Sequence, residues 1–466
     1  MATRLEKDTM GMVEVPADAY YGAQTQRAIA NFPISGLKPH RALVRATLQI
    51  KKCAARANMA TGRLDAELGS AIIRAADQAL AGEFADQFVV DPFQAGAGTS
   101  HNMNVNEVLA NRANELLGGE LGNYSRVNPN DHVNMAQSTN DVFPTAMRLA
   151  ALEMAELVNG ELSGLAATLG RKSQEFDGIL KSGRTHLQDA VPIRLGQEFG
   201  AYAAAIENNR AGIGRSLPGL RELGIGGTAV GTGLNAEEAF IDLIVEGLAG
   251  ETGQDLSRSR NLIERMQNMD PFVALSSSLK GTAVNLIRIA NDLRLLSSGP
   301  RTGLGEITLP AMQPGSSIMP GKVNPVMAEL TNMVCFQVIG ADLSVALAAQ
   351  AGQLELNVMM PVIAFNTLFS LEILKNCVHQ FSHLCIEGIC ANEERCRSYL
   401  DQSVGLATVL APSIGYAAAA EVAKESAQSG KSIRQVILAR GILSEEELDR
   451  VLSPYPLTSP GVHGEK

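Results

Sequence analysis

The stretch RLAALEMAELVNGELSGLAATLGRKSQEF (148–176) decides the architecture. Leu149, Leu152, Ala155, Val158, Leu162, Leu165 and Leu169 recur at spacings of three and four, which puts them on one face of an α-helix. The same spacing returns in 276–298 through Leu279, Ala283, Leu286, Ala290, Leu293 and Leu296. Further helical patterns occupy about 195–222, 234–250, 326–351 and 359–390. Helices this long, apolar over a wide face, are members of a bundle core, and they also suit subunit contacts. Upstream, helical patterns fall at about 40–60 and 64–82, and a polar loop enters a helix near Asn104–Leu117. The chain therefore divides into a mixed, mainly helical region at 1–140, a bundle at 141–394 and a small helical region at 395–466. In the last, Ser444 before three glutamates is an N-cap signal, and Pro454, Pro456 and Pro460 mark a flexible tail.

Composition agrees. Of 466 residues 45% are hydrophobic, only 4% are aromatic and none is Trp, so the core is built of Ala, Leu, Ile, Val and Met. A net charge of −10 lacks the basic excess of a nucleic-acid binder. The first ten residues, MATRLEKDTM, carry charges and no apolar run, so no signal peptide is expected there. The uncharged run Gln402–Ala420 holds Pro412 and Gly415 and reads as loop plus helix, with no membrane span. The six cysteines, without a secretion signal, are expected as free thiols in the cytoplasm.

Chemistry concentrates in four polar stretches between the helices, where loops on a rigid scaffold carry function. Gly315-Ser-Ser-Ile-Met-Pro-Gly-Lys-Val-Asn-Pro325 combines two hydroxyls, a cation and an amide. It is no phosphate-binding loop of the Walker type, because the glycine spacing is wrong and Val323 stands where Ser or Thr is needed. Lys322 is a natural carboxylate partner. A serine hydroxyl here acts as a base only if backbone N–H groups or a cation stabilise its anion. Ser182–Ala190 contains Thr185 and His186, a proton carrier or anion ligand. Gln137-Ser138-Thr139-Asn140-Asp141 packs small hydrogen-bonding groups ahead of Pro144. Gly96–Asn104, with Thr99, resembles an anion-cradling turn at a helix N-terminus but lacks the strand of a dinucleotide site. Taken singly, each also reads as ordinary structure: a solvated loop lysine, a backbone-bonded histidine, a helix N-cap. Cys377, His379, His383 and Cys385 have a zinc-like spacing, but their apolar surroundings favour core packing. Together the four stretches suit a small polyanion held by hydrogen bonds and one ammonium, and proton abstraction next to a carboxylate.

The loop at 315–325 resembles the signature loop of the aspartase/fumarase superfamily. Other blocks resemble the family in order: VEVPADAYYGAQTQRA (13–28), GAGTSHNMNVNEV (96–108), NPNDHVNMAQSTND (128–141), GRTHLQDAVP (183–192), GTAVGTGLN (227–235), NDLRLLSSGPRTGLGEI (291–307) and GQLELNV (352–358). The resemblance covers nearly the whole chain. QSTND, GRTHLQDAVP and VDPFQAGAGTS resemble the aspartate ammonia-lyase branch, whereas GAQTQR and NMNVNEV lean toward class II fumarases.

The resemblance implies a mainly α, three-domain fold whose central long-helix bundle forms the core of a homotetramer, with active sites shared between subunits. It implies reversible deamination of L-aspartate to fumarate and ammonia by anti elimination, with L-malate dehydration as the alternative. By the same resemblance Ser316 is the base. Thr99, Ser138, Thr139 and Ser317 hold the β-carboxylate, and Lys322 and Asn324 the α-carboxylate. Asn140, Thr185 and His186 lie about the amino group, His186 with a catalytic role. No metal or organic cofactor is required. Silent lens crystallins share the superfamily, but the base loop and histidine motif are intact here.

Overall fold

The computed structural model describes residues 2–403 and 405–461. Five helices dominate: Thr139–Glu175, Leu195–Ser216, Asp270–Leu296, Val326–Gln350 and Met360–Phe381. The leucines predicted to face the core do so, among them Leu152, Leu162, Leu165, Leu169, Leu279, Leu286 and Leu293. Strands are confined, among the described residues, to two-stranded sheets. The architecture is mainly α, as the helical spacing predicts.

By internal contacts the chain resolves into two compact units. The first comprises Met1–Asn159, Ala211–Ala283 and Phe336–Lys375, and the second Gly160–Arg210, Val284–Cys335 and Asn376–Lys466. Each boundary falls inside one of the five long helices.

In the first unit, helices Arg41–Ala60, Ala66–Leu80 and Thr99–Leu116 enclose a core that includes Leu48, Ala55, Ile72, Ala75, Ala76, Val108, Leu109 and Ala113. The alanines let the helices approach closely, so a core of few aromatics still fills its space. Buried Glu107 accepts from the backbone N–H groups of Gly22 (2.9 Å), Gln24 (2.9 Å) and Thr25 (3.1 Å), and so caps helix Ala23–Asn31. An acidic side chain here satisfies donors that the first helical turn leaves unpaired.

In the second unit, strands Leu180–Thr185 and Gln188–Arg194 form an antiparallel hairpin. Its turn is His186-Leu187, both with positive φ (53° and 57°). This is the primed two-residue geometry that matches strand twist. The polar segment Ser182–Pro192, expected as an irregular loop, is thus mostly strand. Toward the C-terminus, Leu406, Leu410, Val422, Ile433, Val436, Ile437 and Leu448 form a separate small core. The expected cap at Ser444 is a full capping box: Ser444 Oγ accepts from Glu447 N (3.2 Å), and Glu447 Oε2 accepts from Ser444 N (2.9 Å).

Three other expectations are corrected. The helix expected near Asn104 begins at Thr99, because Gly98 adopts φ +93° and turns the chain directly into it. The proline-rich end is not a free tail as far as residue 461. Pro454–Leu457 is a short helix, and Thr458 accepts from Arg194 Nε (2.9 Å) and Gln197 Nε2 (2.9 Å). The rest of that tail, 462–466, lies outside the described residues. Cys377 and Cys385 are buried as expected, but His379 and His383 are half-exposed. They face Glu161 (3.1 Å) and Glu387 (3.2 Å).

Helix Val326–Gln350 is long and apolar enough to cross a membrane by length and composition alone. Cys335, Val338, Val345 and Ala348 form its buried face. Leu330, Met333, Phe336, Leu343 and Leu347, at spacings of three, seven and four, form an exposed stripe. Two apolar faces of which one is unpartnered mark an interaction surface more often than a chance exposure.

Candidate active site

The expected residues fall into two sets, one in each unit. In the first unit, Thr99 begins helix Thr99–Leu116 and Ser138 precedes helix Thr139–Glu175. These two N-termini are held side by side. Asn102 Nδ2 donates to Thr139 Oγ1 (3.2 Å) and to Asn134 Oδ1 (3.1 Å). A Cβ on Gly98 would stand 2.3 Å from the Phe143 ring, so only glycine permits this approach. Most of the first N–H groups at both ends are taken, Thr99 N by Gly96 O, His101 N by Gln94 Oε1 and Asn140 N by Ser138 Oγ, and what the pair presents is the positive ends of two helix dipoles, which favour an anion.

The side chains there offer both donors and an acceptor. Ser138 Oγ accepts from Asn140 N (3.2 Å), the N-cap role that its composition suggests. Its own O–H remains available to a ligand. Thr139 Oγ1 likewise accepts from Asn102 and keeps its proton to donate. Asn140 Nδ2 donates to Ala229 O (2.8 Å), which turns its Oδ1 the other way, as an acceptor. Thr99 Oγ1 donates to Gly96 O (2.7 Å) and must rotate to meet a ligand.

Beneath this surface lies a buried polar layer. Lys51 Nζ donates to Asn134 Oδ1 and Gln137 Oε1, both at 2.9 Å. Burial pushes the Lys51 ammonium down to about 7, with Asp141 opposing. Burial likewise pushes the Asp141 carboxyl up to about 6, against hydrogen bonds from the N–H groups of Ser138, Thr228 and Gly226 and the charge of Lys51. Next to it, Thr47 Oγ1 donates to Leu43 O (2.9 Å), so it accepts from His101 Nε2 (3.0 Å). Burial, reinforced by Lys51, drives the His101 imidazole down to about 4 and keeps it neutral.

In the second unit the loop Gly315–Pro325 folds on itself. Gly315 N donates to Lys322 O (2.8 Å), and Asn324 Nδ2 donates to Gly315 O (2.8 Å). A Cβ on Gly315 would lie 2.6 Å from Lys322 O, which explains the glycine. Ser316 Oγ accepts from the backbone N–H groups of Met319 (3.0 Å) and Ile318 (3.2 Å). Lys322 Nζ donates to Asn324 Oδ1 (2.7 Å), which places a cation and an amide together. Ser317 is exposed on the same loop, and the tip carries Ile318 (83% exposed), Met319 and Val323 into solvent.

Thr185 and His186 stand at the exposed tip of the hairpin. The strand leading to them is fixed by buried charge. Glu306, fully buried, pairs with Lys181 (2.8 Å) and Arg184 (2.8 Å), and Lys181 also meets Glu198 (3.0 Å). Such a network is favourable only because each charge is matched. Among the described residues no group of three or more His, Cys, Asp or Glu side chains gathers as a metal site.

Sequence reasoning named the groups at the helix starts and missed the layer behind them: Lys51, Asn102, Asn134 and the double role of Asp141. The signal was HNMNVNE (101–107), where polar residues recur through a stretch too regular for a loop. Asparagines buried on a core helix imply partners across it.

Comparison with known proteins follows the same lines. A family model described as Lyase matches residues 11–340, and one described as Fumarase C C-terminus matches 406–459. The aspartate ammonia-lyase of Bacillus subtilis (strain 168) is 51% identical over 463 residues, covering 99% of this chain and 98% of that protein. The class II fumarate hydratase of Myxococcus xanthus (strain DK1622) is 46% identical over 456 residues, covering 98% of each. The crystal structure of fumarate lyase:delta crystallin from Brucella melitensis bound to cobalt is 48% identical. It superposes with a TM-score of 0.95 over 98% of this chain and 100% of that one.

The buried imidazole sets a pH dependence. The unfolded chain takes up a proton on His101 near the ordinary 6.5, whereas the folded chain does so only near 4. Across that window the unfolded state binds more protons, so His101 makes stability fall as pH falls. Asp141, raised by burial, acts in the opposite sense over part of the window. In His101→Gln the drop in apparent melting temperature between pH 6.5 and 4 is expected to be shallower than in the wild type. Parallel melting curves for the two proteins would refute the neutral buried imidazole.

Proposed function

The chain belongs to the aspartase/fumarase superfamily of lyases, and from that premise we propose that it deaminates L-aspartate reversibly to fumarate and ammonia. The observation that carries the chemistry is Ser316 Oγ accepting two backbone N–H groups, at 3.0 and 3.2 Å. A serine oxygen becomes a usable base only when its anion is stabilised, and two preorganised amides do that without a metal.

The Cβ proton of aspartate is very weakly acidic. Its removal turns the neighbouring β-carboxylate into a doubly charged aci form, so catalysis requires donors aimed at that group. Thr99, Ser138 and Thr139, at the paired helix N-termini, supply them, with Ser317 from the base loop. Lys322 and Asn324 bind the α-carboxylate. Asn140 Oδ1 accepts from the substrate ammonium, and Thr185 and His186 lie about the departing amine, with His186 placed to move a proton. Ser316 takes the Cβ proton, the C–H electrons form the C=C bond, and the C–N bond breaks on the opposite face to release ammonia. Closure of the loop 310–325 over the substrate expels water and strengthens these bonds.

We further propose that the enzyme is a cytoplasmic homotetramer whose active sites are shared between subunits. The unpartnered stripe Leu330, Met333, Phe336, Leu343 and Leu347 supports burial of this helix against other copies. All six cysteines are free thiols, five of them buried, which fits a reducing compartment.

The assignment is tested by ultraviolet detection of fumarate from L-aspartate and, separately, from L-malate. Fumarate from L-aspartate alone, reversed by ammonium, is expected. Fumarate from L-malate alone would transfer the protein to the fumarases, which the Myxococcus relative makes the specific alternative. Ser316→Ala is expected to lower turnover by roughly a thousandfold or more while the Michaelis constant stays near wild type. Near-normal turnover would remove Ser316 from the base role. Leu343→Lys combined with Met333→Lys is expected to dissociate the tetramer in analytical ultracentrifugation, with activity lost in proportion. An intact tetramer would exclude the stripe as the contact.

A further inference from the structure

Asp141 does more than cap the start of its own helix. It is the third residue of helix Thr139–Glu175, and its Oδ1 accepts from Ser138 N (2.9 Å), as an acidic N3 residue can. Its second oxygen has no such duty. Oδ2 accepts instead from Gly226 N (2.9 Å) and Thr228 N (3.0 Å), in a glycine-rich loop 85 and 87 residues further along the chain.

That loop is held in an unusual shape. Gly226 has φ +89°, and a Cβ there would lie 2.5 Å from Ile241. Thr228 has φ +58°, which a β-branched residue adopts only under constraint. Its buried Oγ1 has no hydrogen-bond partner. The strain persists because both N–H groups converge on a single fully buried carboxylate oxygen. The neighbouring carbonyl, Ala229 O, then receives Asn140 Nδ2 (2.8 Å). The charged side chain facing Asp141 from the packed helices is Lys51, itself bonded to Asn134 and Gln137.

We propose that Asp141 is a positioning residue that clamps the Gly226–Thr228 loop to the start of helix Thr139–Glu175, and through Ala229 fixes the direction of the Asn140 amide. The chain of contact runs from carboxylate to loop to carbonyl to amide. With Nδ2 held on Ala229 O, the amide is fixed and its Oδ1 faces the other way as an acceptor. An acceptor there suits a substrate ammonium, which has protons and no lone pair. The same carboxylate orders the N–H of Ser138, so both carboxylate and amine recognition depend on it. This role rests on the deaminase reading above.

The test compares wild type with Asp141→Asn. The amide keeps the shape but replaces one acceptor oxygen with a donor, which then faces N–H groups. The Michaelis constant for L-aspartate is expected to rise about tenfold or more. The variant should remain a folded, helical protein by circular dichroism. A Michaelis constant within about twofold of wild type, with only the melting temperature lowered, would show a purely structural capping role and overturn the proposal. Wild-type hydrogen exchange supplies a measurement that does not depend on the variant folding. Peptides spanning 226–229 should exchange slowly, and exchange as fast as that of the exposed segment 235–239 would rule out the clamp. Wild-type protein that makes no fumarate from L-aspartate defeats the deaminase reading, and the positioning role falls with it. Wild type that is active while Asp141→Asn binds normally defeats the positioning role alone.

Discussion

Unpaired backbone N–H groups govern this structure. Wherever a helix begins or a loop turns back, amide donors are left without carbonyls, and burying them unsatisfied costs a few kcal/mol each. The chain answers with oxygen atoms that gather several at once. Glu107 collects the amides of Gly22, Gln24 and Thr25. Asp141 collects those of Ser138, Gly226 and Thr228. Ser316 Oγ collects those of Ile318 and Met319. The first two fix the scaffold, and the third is the oxygen we propose as the base, held by the same means. At the paired helix starts near Thr99 and Thr139, oxygens of Gly96, Gln94 and Ser138 take up amides in the same way, and the two helix dipoles there favour an anion.

Much of this was legible in the sequence. Long runs of apolar residues at spacings of three and four located the five dominant helices, because helix burial imposes that period whatever the tertiary context. The four polar stretches also stood out, since hydroxyls, amides and a lysine between such helices have no packing reason to cluster. What was not legible depended on distant partners. The start of HNMNVNE, before Asn104, looked like a loop because asparagine disfavours helices. It is helical because Asn102 and Asn106 donate to Asn134 Oδ1 and Asn104 donates to Gln87 O. GRTHLQDAV looked irregular, yet it forms strands, because two residues with positive φ reverse the chain and buried charge anchors one strand. No local pattern announces that Arg184 and Lys181 share Glu306.

The two sets of candidate residues are supported differently. Thr99, Ser138, Thr139 and Asn140 rest on helix ends and a buried amide network, a rigid mounting whose geometry packing determines. His186 sits on a hairpin tip whose stiffness comes from matched charges behind it. Ser316 and Lys322 belong to a loop that is ordered internally, by Gly315 and Asn324, but exposed to water. Under the proposed assignment, the first set binds one carboxylate and the loop carries the base. The loop's hydrogen bonds are internal to it, from Gly315 N to Lys322 O and from Asn324 Nδ2 to Gly315 O, so they do not depend on what lies across from it.

The apolar tip of that loop, Ile318, Met319 and Val323, has a thermodynamic consequence. Substrate and site are strongly polar, so binding would ordinarily show little of the hydrophobic signature. Under the proposed closure, three apolar side chains at the leading edge of the loop leave water each time a ligand is captured. Capture then carries a negative heat-capacity change out of proportion to a ligand of a few polar atoms. Its enthalpy becomes more favourable on warming, so the affinity of this site for a small dianion carries a temperature signature set by side chains that never touch it.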